Sequence, residues 1–336
     1  MLFLQFLFNL LVLKQGADLF ESKFENFISK YEKPYKNNSE EYGRRMDIFR
    51  KSLNEIDYLN SLRTHNESAY YGITKYSDLT QEEFIQLIGK NKRNHHSKHR
   101  NVRTRQLFNS DHLNVPGEFD WRDRNVVSKV RNQGKCGACW AHSTVATVES
   151  MVAIKTNKLT EFSVQQLVDC SNGDNQGCRG GDTCSALIWM NKNKVKLESA
   201  QAYPNQDYAG ICKSREDEDG VQIRSNFTCD NFINNEEKIV QLLATHGPLI
   251  AAVDATTWKH YLGGIIQYHC FNDLNHAVQI TGYDLNGNVP YFKVRNTWDV
   301  SFGIDGYIHI AIGHNLCGIA EEISALDVLS IPKKFY

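Results

Sequence analysis

Cys139 is the residue of this chain best placed to do chemistry. From Cys139 onward apolar residues recur as Ala141, Val145, Val148 and Val152, the i, i+4, i+7, i+11 spacing of one helical face. A thiol at the first position of a helix meets unpaired main-chain N–H groups and the positive end of the helix dipole. Both favour the thiolate, which is the nucleophilic form. A cysteine in that position is usually structural unless a base can take its proton. His276, at the opening of the apolar run Ala277-Val278, is such a base, although a single His there more often satisfies the core. Asn296, at the end of another strand-like run, can accept a hydrogen bond from an imidazole and fix its tautomer. Trp298, two residues on, can shield that bond from water. Together the three polar residues supply a nucleophile, a base and an orienter.

The elements that must hold them are legible in outline. After the helix at Cys139, residues 161–170 read as a second helix capped by Ser163, and a third runs from about Cys184 to Asn191. Beyond about Ser225 the runs 248–253, 263–268, 277–283, 291–294 and 306–311 are strand-like and separated by Gly and Asn turns. Helices early and strands late predict an α+β protein of two lobes. A separate N-terminal unit precedes them. Residues 18–60 read as helix, with Glu41, Arg45, Phe49, Ser52, Ile56 and Asn60 on one stripe. That stripe is either a solvated amphipathic face or one on which Glu41 and Arg45 pair within a folded segment. Tyr71 to Thr80 alternates like a strand, and Thr80-Gln-Glu-Glu83 is a capping box opening a short helix.

Residues 90–105 are dominated by Lys, Arg, Asn and His, with Val102 alone apolar, so they form a linker. A basic run between two folded units reads as a protease-accessible hinge rather than a nucleic-acid patch. His95, His96 and His99 lie on a loop too flexible to fix a metal. The formal net charge of -1 gives no global reason to expect nucleic acid or an anionic membrane as partner. The apolar run 2–13 is short for a membrane span and resembles the h-region of a secretory signal, an uncleaved anchor being the alternative. Nine cysteines suit an oxidising compartment with eight bridged and one not. The sequons at Asn37, Asn66 and Asn226 agree with that compartment.

On these residues the chain resembles the papain-like cysteine proteases. The stretch Gln133-Gly-Lys-Cys136-Gly-Ala-Cys139-Trp140 carries the family's nucleophile signature, and His276 and Asn296 follow Cys139 by 137 and 157 residues, near the family's spacing. The Glu41–Asn60 stripe and Gly72, Thr74, Tyr76 and Asp78 resemble the two motifs of cathepsin L-type inhibitory pro-regions. The resemblance implies a papain-like two-lobed fold, with a helical lobe at about 124–225 and a β-barrel-like lobe from 113–123 and 226–336. A signal peptide at 1–16 and an inhibitory pro-region at 17–112 would precede it, with processing near 105–115. It implies Cys139 as nucleophile, His276 as its ion-pair partner, Asn296 as orienter and Gln133 as oxyanion donor.

It further implies the bridges Cys136–Cys178, Cys170–Cys212 and Cys270–Cys317. Cys184 and Cys229 remain, either bridged to each other or two free thiols. Gly180 and Gly181 match glycines that bind substrate backbone. Asp182, Thr183, Ala252, Ala277 and Glu322 would line the second subsite, though Glu322 can equally be an ordinary surface residue. Trp298 completes the substrate-binding set. No cofactor or metal is implied. The partners are protein and peptide substrates and the chain's own pro-region, in a monomer that enters the secretory pathway and works at acidic pH. Within the family the motifs look most like the viral cathepsins of baculoviruses, implying degradation of host tissue. Three positions depart from the family: His142 for Phe, Asp299 for Gly, and Phe302 for Trp.

Overall fold

A computed structural model describes residues 18–88, 114–214 and 219–335. The run 2–13, the linker 90–105 and the expected processing site lie outside these residues. The N-terminal unit is two helices, α1 (residues 18–30) and α2 (Ser39–Ser61). The helical stretch expected over 18–60, with a turn at Asn37-Asn38-Ser39, is interrupted more widely, over 31–38, where Pro34 lacks the N–H a helix interior needs and Glu32 adopts a left-handed φ of 49°. Asn38 restarts the helix, its side-chain oxygen accepting from the N–H of Glu41. Phe24, Phe27, Ile28, Tyr35 and Phe49 are buried between the helices, with Phe27 and Phe49 rings 4.8 Å apart.

The polar end of the stripe is paired. Arg45 donates to Glu41 Oε1 and to Glu83 Oε2, both at 2.6 Å, and to the carbonyl of Asp78. Phe49, Ser52 and Ile56 are buried below it, and Asn60 makes two hydrogen bonds to the main chain of Tyr71. Truncating fully buried Phe49 to Ala removes the centre of this small core at a cost of about 3–5 kcal/mol. Calorimetry of the full chain should therefore show the N-terminal unit unfolding early, with the later transition unmoved.

Of the strand expected over 71–80 only Tyr71 forms, as the second residue of β1 (Tyr70–Tyr71); beyond it lies a turn whose Ser77 Oγ accepts from the Thr74 N–H. The capping box does form, with Glu83 N–H donating to Thr80 Oγ1 and Thr80 N–H to Glu83 Oε2. It opens α3 (Gln81–Ile88).

The first lobe is built on α4 (Cys139–Thr156), buried on every side through Ala153. Its buried hydroxyls at Ser143, Thr144, Thr147 and Ser150 return their hydrogen bonds to carbonyls one turn back, so they cost little. Around it pack α5 (Val164–Cys170), capped by Ser163 as expected, and α6 (Thr183–Lys192).

The second lobe is built on one eight-stranded sheet. Its strands are β2 (Glu118–Asp120), β4 (Thr228–Asp230), β5 (Leu249–Val253), β7 (Ile265–Ile266), β8 (His276–Asp284), β9 (Tyr291–Arg295), β10 (Tyr307–Ala311) and β11 (Ile323–Ala325). The order is β4-β11-β5-β8-β9-β10-β7, with β2 also pairing β8. The sheet stays open, with β4 and β7 at its ends, and does not close into a barrel. β3 (Gln222–Ile223) pairs with β12 (Val328–Ser330), and β6 (Tyr261–Gly263) pairs with β1 of the N-terminal unit. A seventh helix, α7 (Glu236–Thr245), lies against β8.

Four disulfides, Cys136–Cys178, Cys170–Cys212, Cys184–Cys229 and Cys270–Cys317, join eight of the nine cysteines. Among the described residues no helix is long and apolar enough to cross a membrane.

Candidate active site

Cys139 is the first residue of α4 and the one cysteine outside the bridges. No side chain caps this helix, so its first N–H groups keep their positive potential for the sulfur and for whatever reacts there. His276 opens β8, opposite Val253 on β5, and Asn296 follows the last residue of β9, which is β8's other neighbour. Gln279 on β8 donates to Thr147 and Ser150 of α4, which ties the strand carrying the imidazole to the helix carrying the thiol.

His276 Nε2 lies 2.8 Å from Asn296 Oδ1, and the same oxygen accepts from the Thr297 N–H. A carbonyl oxygen only accepts, so Nε2 carries the proton and Nδ1 is the nitrogen left for proton exchange. Trp298 covers the bond, its ring centroid 4.9 Å from that of His276, and Trp258 meets the imidazole edge-on at 6.0 Å. Burial pushes the imidazole down to about 4, against the opposing effects of Asn296 and of the Ile88 main chain.

Gln133 is buried, and its main-chain N–H donates to the Thr297 carbonyl. Thr297 Oγ1 donates to Gln133 Oε1 at 2.6 Å, which fixes the amide with its NH2 group on the other side. There Nε2 makes only a long 3.3 Å contact to the Cys136 carbonyl. This is an amide donor held ready beside the start of α4. Thr297 was not singled out from sequence, where a threonine beside a tryptophan carries no signal of its own.

The subsite residues arrive in two groups. Gly180, with φ 112°, and Gly181 precede α6; a Cβ on Gly181 would come within 2.6 Å of the Trp140 ring. Asp182 is the N-cap of α6, its Oδ1 accepting from the Ser185 N–H, and Thr183 is buried beside it. On the sheet, Ala252 and Ala277 are direct partners, and the Ala252 N–H donates to the Glu322 carbonyl. The Cys184–Cys229 bridge connects the groups, because Cys229 lies on β4, which pairs with the β11 strand that begins after Glu322.

The N-terminal unit covers this face. Tyr76 and Phe84 pack on Trp298 at 5.8 and 5.5 Å, Lys75 Nζ donates to the Trp298 carbonyl, and Thr74 Oγ1 to that of Lys259. Glu55 stands 3.3 Å from Lys259 and 3.5 Å from His260, and Ser77 Oγ lies 3.2 Å from His260 Nδ1. Asp299 occupies a left-handed φ of 78°, which gives a physical reason for the glycine usual there. Phe302 packs edge-on against Trp298 at 4.8 Å, and His142 is buried.

Comparison with known proteins matches residues 115–326 to the papain family cysteine protease domain and residues 24–84 to the cathepsin propeptide inhibitor domain (I29). The chain belongs to the papain family of cysteine proteases. Human cathepsin O is 44% identical over 288 residues, covering 85% of this chain and 88% of that protein. The viral cathepsin of Autographa californica nuclear polyhedrosis virus is 37% identical over 91% of each chain. Among solved structures, procathepsin L 3 of Tenebrio molitor larval midgut superposes with a TM-score of 0.78 at 28% identity, covering 92% of this chain and 99% of that one. The unit lying on the face of this family's protease domain is therefore the inhibitory pro-region.

Proposed function

We propose that the chain is the zymogen of a cysteine endopeptidase in which Cys139 and His276 form a thiolate–imidazolium pair oriented by Asn296. The observation that carries this is the His276 Nε2–Asn296 Oδ1 hydrogen bond under Trp298, which leaves Nδ1 for the sulfur at the start of α4. The thiolate adds to the scissile carbonyl. Gln133 Nε2 and the Cys139 N–H receive the oxyanion, and the imidazolium gives its proton to the leaving amine. Water activated by the neutral imidazole then hydrolyses the thioester.

Gly180 and Gly181 would bind the substrate main chain, and Thr183, Ala252, Ala277 and Glu322 would shape the second subsite, with Asp182 at its rim. A folded pro-region, four bridges and the hydrophobic N-terminal run support a secretory pro-enzyme processed between residues 105 and 115 and acting as a monomer in an acidic or extracellular compartment. The tissue-degrading role that a likeness to viral cathepsins suggests has the weaker support, because identity to cathepsin O is higher, 44% against 37%.

Peptide turnover by the acid-processed wild type, absent from Cys139→Ala, tests the proposal. Turnover by the variant overturns it. Gln133→Ala is expected to lower kcat by about 10²–10³ with little change in KM, as for loss of one oxyanion donor. Steady-state kinetics on a peptide amide checks the split.

A further inference from the structure

His142 lines a small space beside Asn296, together with Arg131, Ser143, Ala146, Gln279, Arg295 and Thr297. The space open to the centre of a water-sized particle is about 10 Å³, which is room for one. Four of the lining residues each carry a buried nitrogen with no hydrogen-bond partner: Arg131 Nη1, His142 Nδ1, Arg295 Nε and Asn296 Nδ2. Three of these are obligate donors. Of the side-chain amide oxygens on the walls, Asn296 Oδ1 accepts from both His276 and Thr297, and Gln279 Oε1 already accepts from Arg295.

The charge is unbalanced as well. Arg131 pairs with buried Glu149 at 2.5 Å. Arg295 is 3% exposed and meets no carboxylate among the described residues; its bonds go to Gln279 and to the Lys129 carbonyl. Glu161 stands at an adjoining groove, exposed to solvent. Two guanidiniums thus face one buried carboxylate, and an uncompensated buried charge is costly. Burial and the two arginines push His142 down to about 3, so the imidazole adds no charge of its own at neutral pH.

A water there would find few acceptors for its two hydrogens, chiefly His142 Nδ1 and the Ser143 and Thr297 hydroxyl oxygens, against three unpaired N–H donors. A monatomic anion only accepts. The size rules out sulfate and phosphate, which are too large for one water-sized space.

We propose that this space is a specific site for a monovalent halide, chloride under physiological conditions, held by Arg131, Arg295 and Asn296 and admitted by the histidine at position 142. An anion bonded to Asn296 Nδ2 holds the amide with Oδ1 toward His276. The halide therefore acts as a positioning ligand for the imidazole; this consequence rests on the catalytic reading above, whereas the binding does not.

The test uses the processed enzyme at constant ionic strength, with sodium chloride exchanged against sodium gluconate. A saturable upward shift of Tm and a saturable rise in kcat with chloride are expected, along with one anomalous scattering peak between Arg295 and Asn296 in crystals soaked in bromide. His142→Phe, which fills the space, and Arg295→Gln, which removes the charge, should each abolish the Tm response. Equal Tm in both salts with no bromide peak overturns the site, whatever the variants do. A Tm response and a bromide peak without any effect on kcat keep the site and overturn its coupling to Asn296. Should both variants fold poorly, the bromide peak in wild type still decides.

Discussion

His276→Ala in the processed enzyme should lower kcat/KM by about 10²–10⁴, the usual worth of a positioned general acid–base group. In the proposed mechanism the loss should fall on kcat, because the imidazole would act on the reacting atoms and the substitution leaves Ala252, Ala277 and Glu322 in place. Three features of the site converge on this size. The bond to Asn296 fixes the imidazole's tautomer, Trp298 covers that bond, and the start of α4 would favour the thiolate if the imidazole takes its proton as proposed. Losing the base removes both the ion pair and the proton for the leaving amine. An Ala variant that retained wild-type kcat would show that His276 is a core residue. In the zymogen the same imidazole is held at about 4, so above that value it is neutral and the ion pair is disfavoured while the pro-region stays in place.

Zymogen activation should accelerate in two steps as pH falls. His260 is buried under Glu55, Ser77 and Gly72 of the pro-region, and burial lowers its pKa in the covered state, with Lys259 adding to the shift and Glu55 opposing it. An imidazole with a lower pKa when covered binds its proton more readily when uncovered. Protonation below the free value of ~6.5 therefore favours release. Glu55 behaves in the opposite sense: its bonding to His260 and its charge contact with Lys259 hold the carboxyl at about 2 in the covered state, against an ordinary 4.5. Its contribution to the closed form is complete above ~4.5 and is lost progressively below it.

The processing rate of the full-length zymogen, followed by gel from pH ~7 to ~4, should rise first through the histidine range and again through the carboxylate range. His260→Gln removes the first rise and leaves the onset near ~4.5. A variant with the wild-type onset would place the acid trigger elsewhere.

The sequence shows the site better than the frame that holds it. The helix starting at Cys139 is readable from Ala141, Val145, Val148 and Val152, although α4 is buried on every side and has no polar face. His276 and Asn296 are readable as polar residues at the ends of apolar runs, and the runs are β8 and β9 in the structure. What pairs with what is not readable, since Ala252 opposite Ala277 and Glu55 beside Lys259 are contacts between distant segments.

Strands of two or three residues such as β3, β4, β11 and β12 carry no period of their own and exist only by pairing. α7 did have a signal, in Ile239, Val240, Leu242 and Leu243, but it sits amid strand-like runs. The alternation at 71–80 is a turn because Thr74, Ser77 and Asp78 spend their hydrogen bonds on neighbouring loops and on Lys33 and Tyr35. His142 departs from the family pattern in α4, and its place beside Arg131 and Arg295 is visible only in three dimensions.

The most direct test of the catalytic account is to treat the acid-processed enzyme with a peptidyl epoxide and map the adduct by mass spectrometry. One adduct per molecule, on Cys139, with peptide turnover falling in proportion to labelling, is the expected result. Full labelling of the protein with Cys139 unmodified, or unchanged turnover with Cys139 fully alkylated, would contradict it.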